Sequence, residues 1–403
     1  MKPIIIALIT LLFLACQQDE FEAKIQYLGT DAIKYVRLYP NSSVLMADGK
    51  AQLKFKVKAF TEIERTKTVD NQQVTYLDTM ELIYDRLPLN QISVSTADGQ
   101  KIENYTYTTD QAGSGSQRFI AKIGKISSEP VEVKVITKPA ALSQVTIPVV
   151  FHILPTVKTK NACDGVTDEF IDKLITRLNQ VFAGEIYAAP AAIDSGIRFV
   201  LADKDPQGKL LETPGIRRED RKSETTAELT KYVKENLMWD PVRYLNIWIY
   251  DSSPYSDPSK APAYVLNNGT EIPGLDLDVV EKVEDAVYSN PAEIGITISA
   301  SKVFSTNLEN AIGIFFGLLP TAYKDSQENL VDGDTDYCPD TYAYESKYFA
   351  AEKWTYTERE WDRIYYDSYN IMDESSAATT ISYDQALRIH KVMENCPLRM
   401  MRK

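Results

Sequence analysis

The sequence predicts an α+β protein: an all-β stretch over residues 25–138, then alternating strands and helices over residues 139–403. Three observations predict this division. In the first stretch, apolar and polar residues alternate in short runs separated by turns. Lys138-Pro139-Ala140-Ala141 then reads as a linker. Beyond it, runs with the 3.6-residue apolar period of a helix lie between strand-like segments.

At the N-terminus, Lys2 precedes an apolar run from Pro3 to Ala15, too short to span a bilayer and suited to a signal peptide. Residues 1–15 are read as that leader. Residues 16–24 are an acidic tether containing Asp19-Glu20-Phe21-Glu22, either a surface-export mark or a solvated linker. Val44-Leu45-Met46 is a short apolar run, and Asp48-Gly49 after it is a turn signal. Ala51 to Phe60 alternates as a half-buried strand does. Ile92 to Thr96 leads into a second turn at Asp98-Gly99, and Phe119–Gly124 and Val131–Ile136 close a β-sandwich pattern.

In the second region, Val149-Val150-Phe151-His152-Ile153-Leu154 reads as a buried strand. Thr167 caps a helix whose apolar face is Phe170, Ile171, Leu174, Ile175, Leu178, Val181 and Phe182. Ile197–Leu201 and Leu245–Ile249 are core strands. Ala261-Pro262-Ala263-Tyr264 contains a proline and fits an edge strand. Ser382 and Gln385 form a capping box for the last helix.

Composition excludes several functions. A chain of 403 residues makes two or three domains. A net charge of -13 argues against a nucleic-acid partner, which needs a basic face. Apart from Cys16, the cysteines are Cys163, Cys338 and Cys396, with no C-x-x-C pair; export permits one disulfide among them, its pairing open. Ser305 and the other serines have no histidine and acid set beside them, so a serine hydrolase has no support.

The segment Glu309-Asn310-Ala311-Ile312-Gly313-Ile314-Phe315-Phe316-Gly317-Leu318-Leu319-Pro320 is the most informative. It has the spacing of H-E-x-x-H-x-x-G-x-x-H, in which two imidazoles one helical turn apart and a third after a glycine turn hold zinc. Asn310, Ile314 and Pro320 stand at the three ligand positions, and Ala311 stands where a glutamate would take a proton from zinc-bound water. Only Gly317 is kept. With His152 and His390 the only histidines, a three-histidine site cannot be assembled from elsewhere.

Other landmarks join this frame in order. They are Pro148 to Leu154, Trp239-Asp240-Pro241 with Tyr244 to Trp248, Thr335-Asp336-Tyr337-Cys338-Pro339-Asp340-Thr341, and Asn370-Ile371-Met372-Asp373. Together they resemble pappalysin-type metzincins over residues 145 to 403, and more closely the bacterial lipoproteins named zinc-dependent metalloproteinases. The resemblance implies a metzincin-like fold, with Met372 in the Met-turn beneath the metal. Phe13-Leu14-Ala15-Cys16 resembles a lipobox, which implies that Cys16 is lipidated and anchors the chain to the outer membrane, at the cell surface or facing the periplasm. The all-β stretch looks like a bacterial immunoglobulin-like domain, a spacer or an adhesive module. Two departures stand out. Glu374 follows Asp373 where the family has tyrosine, and no cysteine lies between Ser375 and Ile381 to partner Cys338.

Asp332, Asp334, Asp336 and Asp340 cluster as oxygen ligands for structural calcium or as a solvated acidic loop. The ring-rich segment from Tyr342 to Tyr369 covers core beneath a long loop or lines a ligand surface. The expectation is an exported lipoprotein that neither holds zinc nor cuts peptides, but binds a peptide or protein along Ala261, Ala263 and Tyr264. The competing expectation is an active metallopeptidase using another metal site.

Overall fold

The computed structural model describes residues 29–82, 87, 89–155, 162–186, 189–220, 225–303, 307–321, 323–324, 330–331, 336–341, 352–354, 365–367, 369–373 and 379–401. The architecture is mixed α+β, rich in strands and with few helices. No helix among these residues is long and apolar enough to cross a membrane.

Among the described residues, ten strands precede residue 138. They are β1 (Tyr35–Pro40), β2 (Val44–Ala47), β3 (Leu53–Val69), β4 (Gln72–Glu81), β5 (Ile92–Thr96), β6 (Lys101–Ile102), β7 (Thr106–Tyr107), β8 (Ser116–Ile123), β9 (Ile126–Ser127) and β10 (Val131–Thr137). One sheet runs β1-β3-β4 with β7 also on β3; the other runs β2-β10-β8-β5-β6 with β9 on β8. In the first half of β3, Leu53, Phe55 and Val57 are buried while the lysines between them are not, as period-two alternation requires. The inner faces meet where Phe55 of β3 and Tyr107 of β7 touch Phe119 of β8, with centroids 4.7 and 5.1 Å apart.

The second half is built on a parallel sheet. Its strands are β11 (Val145–Leu154), β12 (Ile197–Leu201), β13 (Ile216–Arg218) and β14 (Leu245–Tyr250), with β17 (Gly295–Ser299) at one edge, in the order β12-β11-β14-β17 with β13 also on β11. β14 is buried at all six residues, as a parallel strand covered on both faces is, with Asn246 its one amide. Helix α1 (Asp168–Phe182) starts at Thr167, whose hydroxyl accepts from Phe170 N, and buries Ile171, Ile175, Leu178, Val181 and Phe182. Asn179 ties it to the sheet, donating to Phe199 O and accepting from Phe199 N, each at 2.8 Å. Helix α2 (Thr226–Tyr232) runs into a wider, π-type turn at Val233–Leu237.

Strand β15 (Tyr264–Leu266) pairs in parallel with β16 (Asp278–Val280) in a separate two-stranded ribbon. Ala261 and Ala263 precede β15 rather than belonging to it. Beside β17, the chain around Pro258 takes up the main sheet's edge, with Thr297 N donating to Pro258 O at 2.7 Å. The two remaining helices, α3 (Leu308–Phe315) and α4 (Tyr383–Asn395), carry the candidate site.

Candidate functional site

Helix α3 begins where the Asn307 side chain accepts from Asn310 N at 3.0 Å, and ends at Gly317, whose φ of +81° lets the chain turn out of the helix. A side chain at Gly317 would also collide with Val392, its Cβ 2.9 Å from Cγ2. The glycine is therefore needed for conformation and for space. Beyond it Leu318 is buried and Pro320 is exposed.

The turn containing Met372 lies against this helix. Asn310 Nδ2 donates to Ile371 O at 2.9 Å and lies 3.7 Å from Met372 Sδ. A Cβ on Gly313, one turn along, would sit 2.8 Å from that sulfur, so the small residue admits the methionine. Thr321, after the helix, donates to Asp373 Oδ1 at 2.7 Å. Asn370 organises the turn from within: Oδ1 accepts from Met372 N at 2.9 Å, and its N–H donates to Asp373 Oδ2 at 3.0 Å. Its amide pairs reciprocally with Gln385 of α4 at 2.8 and 2.9 Å. Gln385 also closes the capping box with Ser382.

Side chains from distant segments donate to carbonyls in and just after α3, including one that the helix end leaves unpaired. Arg399 Nε donates to Phe315 O and Arg388 Nε to Gly317 O, both at 2.6 Å, and Ser259 Oγ donates to Ala311 O at 2.7 Å. The Arg399 guanidinium also lies 3.7 Å from the Phe315 ring centroid, and burial pulls it down to about 9. At the other end of the helix, Glu309 accepts from Arg177 of α1 at 2.9 Å.

The residues at the frame positions do not fit a zinc ion. Asn310 spends its amide N–H on Ile371, Ala311 and Ile314 offer no donor atom, and Pro320 faces solvent. Both histidines are engaged elsewhere. His152 is fully buried on β11 and bonded to Asn246 at 3.0 Å, and His390 on α4 bonds Ser195 O at 2.8 Å. Among the described residues, no group of three or more His, Cys, Asp or Glu side chains is arranged to hold a metal.

Of the acidic cluster, Asp332 and Asp334 lie outside the described residues. Asp336 accepts from Cys338 N (3.0 Å) and from Thr341 Oγ1 (2.8 Å). Asp340 accepts from Ser382 Oγ (2.6 Å) and Asp384 N (2.9 Å), and burial raises its pKa. These two carboxylates thus brace their own loop and the start of α4. Cys163, Cys338 and Cys396 are buried and form no disulfide among the described residues. Cys16 and most of the ring-rich segment lie outside the described residues. A cavity of about 610 Å³ opens between the two halves, lined by Met46, Lys138, Gly184 and Tyr383 among others and by none of the frame positions.

Sequence reasoning missed Asn370, Gln385, Arg388, Arg399 and Ser259 as organisers of this site. Asn370 and Asp373 do carry a local signal, an Asx-type turn spelled N-x-x-D. The arginines carry none, since Arg399 reaches a carbonyl 84 residues away.

No protein-family model matches the chain, and no curated protein matches it. Solved structures do show similarity. Mature mirolysin from Tannerella forsythia in complex with a cleaved peptide is 19% identical, with a TM-score of 0.45 over 64% of this chain and 96% of that one. A promirolysin mutant from the same organism is 20% identical, with a TM-score of 0.42 over 64% and 83%. Mirolysin in complex with compound 9 is 20% identical, with a TM-score of 0.41 over 62% and 91%.

Proposed function

We propose that this chain is an exported lipoprotein whose metzincin-like half binds an extended peptide or protein segment without cleaving it. The hydrogen bond from Asn310 Nδ2 to Ile371 O carries the proposal. An imidazole at that position would point a lone pair at an ion; the amide instead ties the helix to the turn with no ion needed. The neighbouring Ala311 leaves no base to take a proton from water. Scaffold features that serve shape alone remain: the left-handed Gly317, the small Gly313 and the Met372 turn.

In this proposal Cys16 is lipidated and holds the protein at the outer membrane, facing the cell surface, and residues 25–138 form an immunoglobulin-like spacer. Binding uses backbone pairing along Ala261, Ala263 and Tyr264, which requires no metal. The loop of Asp332, Asp334, Asp336 and Asp340 enters this proposal as an acidic loop, with structural calcium as its alternative, since Asp336 and Asp340 already accept hydrogen bonds on both oxygens.

Metal content and peptidase assays test it directly. The purified chain is expected to contain no stoichiometric zinc and to leave peptide libraries uncut. Asn310→His, Ala311→Glu, Ile314→His and Pro320→His together are expected to introduce zinc binding. Chelator-sensitive proteolysis by the unaltered chain would overturn the proposal in favour of a metallopeptidase with a different metal site. Cys16→Ser is expected to release the protein from membranes; unchanged association would remove the lipid anchor from the proposal.

A further inference from the structure

The β3–β4 ribbon leaves the body of the protein. From Thr61 on β3 and Met80 on β4 outward to the tip, no residue on either strand is buried. At about 3.3 Å per residue, this carries the tip about 30 Å away. The tip is a two-residue turn in which Asp70 and Asn71 both take left-handed φ values, 51° and 63°. Such turns match the right-handed twist of the flanking strands, so the arm is preformed.

Among the described residues β4 is the last strand of its sheet. Exposed edges of this kind are usually blunted by lysine, proline or a bulge. Gln72–Glu81 contains no lysine, arginine, proline or glycine, and it pairs with β3 without a bulge from Phe60↔Glu81 to Val69↔Gln72. Leu77 is 62% exposed on it, and Val74 and Met80 are exposed as well. A two-stranded ribbon alone is marginally stable in water, so added strands have much to stabilise.

We infer that β4 pairs antiparallel with β4 of a second copy of this chain, across a twofold axis at Tyr76. Charge selects the partner. The strand's only charges are Asp78 and Glu81, and both are engaged within the chain, by Arg65 and Lys58 at 2.8 Å each. The edge therefore offers neither a free cation to an acidic segment nor a free anion to a basic one. Self-pairing about Tyr76 places Asp78 opposite Val74 of the second copy and Glu81 opposite its Asn71. No like charges meet, and each Thr75 faces a Leu77. The contact is isologous and joins two sheets through backbone bonds.

The full chain carrying Tyr76→Cys, in detergent, provides the test. Twofold pairing brings the two cysteines to a Cα separation of about 4.5–5.5 Å, within disulfide reach. Mild oxidation is expected to trap a dimer, whereas Lys67→Cys on the inner strand β3 is expected to trap none. Thr75→Lys with Leu77→Lys puts like charges opposite each other twice and is expected to weaken dimerisation roughly tenfold in sedimentation. The lysine at 77 lies across from Glu64 on β3, so the arm itself is kept. A Tyr76→Cys chain that never crosslinks, a dimer indifferent to the two lysines, or a monomer whose β4 captures an extended peptide instead would each overturn the inference.

Discussion

The α3–Met372 junction and the surroundings of His152 bury polar groups in opposite ways. At the junction, donors meet acceptors: Asn310 reaches Ile371 O, Asn370 pairs with Gln385, and Thr321 meets Asp373. Around His152 they do not. Asn246 Oδ1 already accepts from Trp239 N, and Asn246 Nδ2 donates to Trp239 O, so the amide is oriented and His152 Nε2 must be the donor to Oδ1. That leaves Nδ1 as a bare acceptor. It and Trp248 Nε1 are buried with no hydrogen-bond partner among the described residues. The imidazole stacks on Trp248 at 5.9 Å, packed where no ion could reach it. The His152 imidazole is thus packed with one nitrogen unmatched, whereas the Asn310 amide joins helix α3 to the Met372 turn and the surrounding residues complete that joint.

The largest effect is expected at Asn370. Replacing it with alanine leaves Met372 N and the buried Gln385 Nε2 without partners, while Gln385 Oε1 keeps only Ser382 N. At roughly 1–3 kcal/mol for each stranded group, Asn370→Ala should destabilise the protein by about 4 kcal/mol in urea titration. A loss below about 1 kcal/mol would show that the junction is not the tightly satisfied region described above.

Acid should act on the other region. Burial pulls His152 down to about 3, and the nearby Arg217 charge acts in the same direction, against the bond to Asn246. The folded pKa lies below the unfolded value of 6.5. The stability gained by keeping the ring neutral is therefore present above pH 6.5 and is lost as pH falls from there toward 3. Between pH 7 and pH 4.5 the loss should be about 2–3 kcal/mol. Comparing the pH dependence of the native chain with that of His152→Gln isolates this contribution; equal slopes would rule out a buried, neutral imidazole.

These two regions also differ in how far the sequence revealed them. The strand holding His152 was legible because the five apolar residues of its run leave no other place for it, and Thr167 and Ser382 marked their helices because caps are local chemistry. Gly317 was legible for the same reason, since a single residue sets the turn. The joint was not. Which carbonyls Arg388 and Arg399 bind, and that Asn370 and Gln385 face each other, depend on segments brought together only by folding, and such pairs leave no period in the chain. The length of the β3–β4 arm was also missed. Its distal residues are unburied on both faces and its apolar residues are scattered among polar ones, so the alternation that signals a half-buried strand fades after Phe60, and Asp70-Asn71 lacks the glycine of the commoner turn signals.

Asn310→Ala should have an intermediate effect. It removes the bond to Ile371 O while leaving Asn307 to cap the helix through the backbone of residue 310. A loss of about 1 kcal/mol is expected in thermal unfolding, because one neutral bond is lost and its acceptor can accept elsewhere. A neutral result would mean that the amide does not hold helix to turn, and the joint would then rest on Asn370 alone.

The smallest expected effect is at the rim of the junction, where Glu309 meets Arg177. The Glu309 side chain is only 8% exposed, which by itself suggests a costly stranded charge if the arginine is removed. Two facts oppose that. The Arg177 side chain is 46% exposed, so water already screens the pair. Glu309 also sits in the first turn of α3, where the unpaired N–H groups and the helix dipole favour a carboxylate without any arginine. Arg177→Gln should therefore cost about 0.5–1 kcal/mol at low salt and less at high salt. A salt-independent loss above about 2 kcal/mol would mean that Glu309 depends on its partner far more than the helix end can compensate. The junction would then hold a buried carboxylate that its arginine alone satisfies.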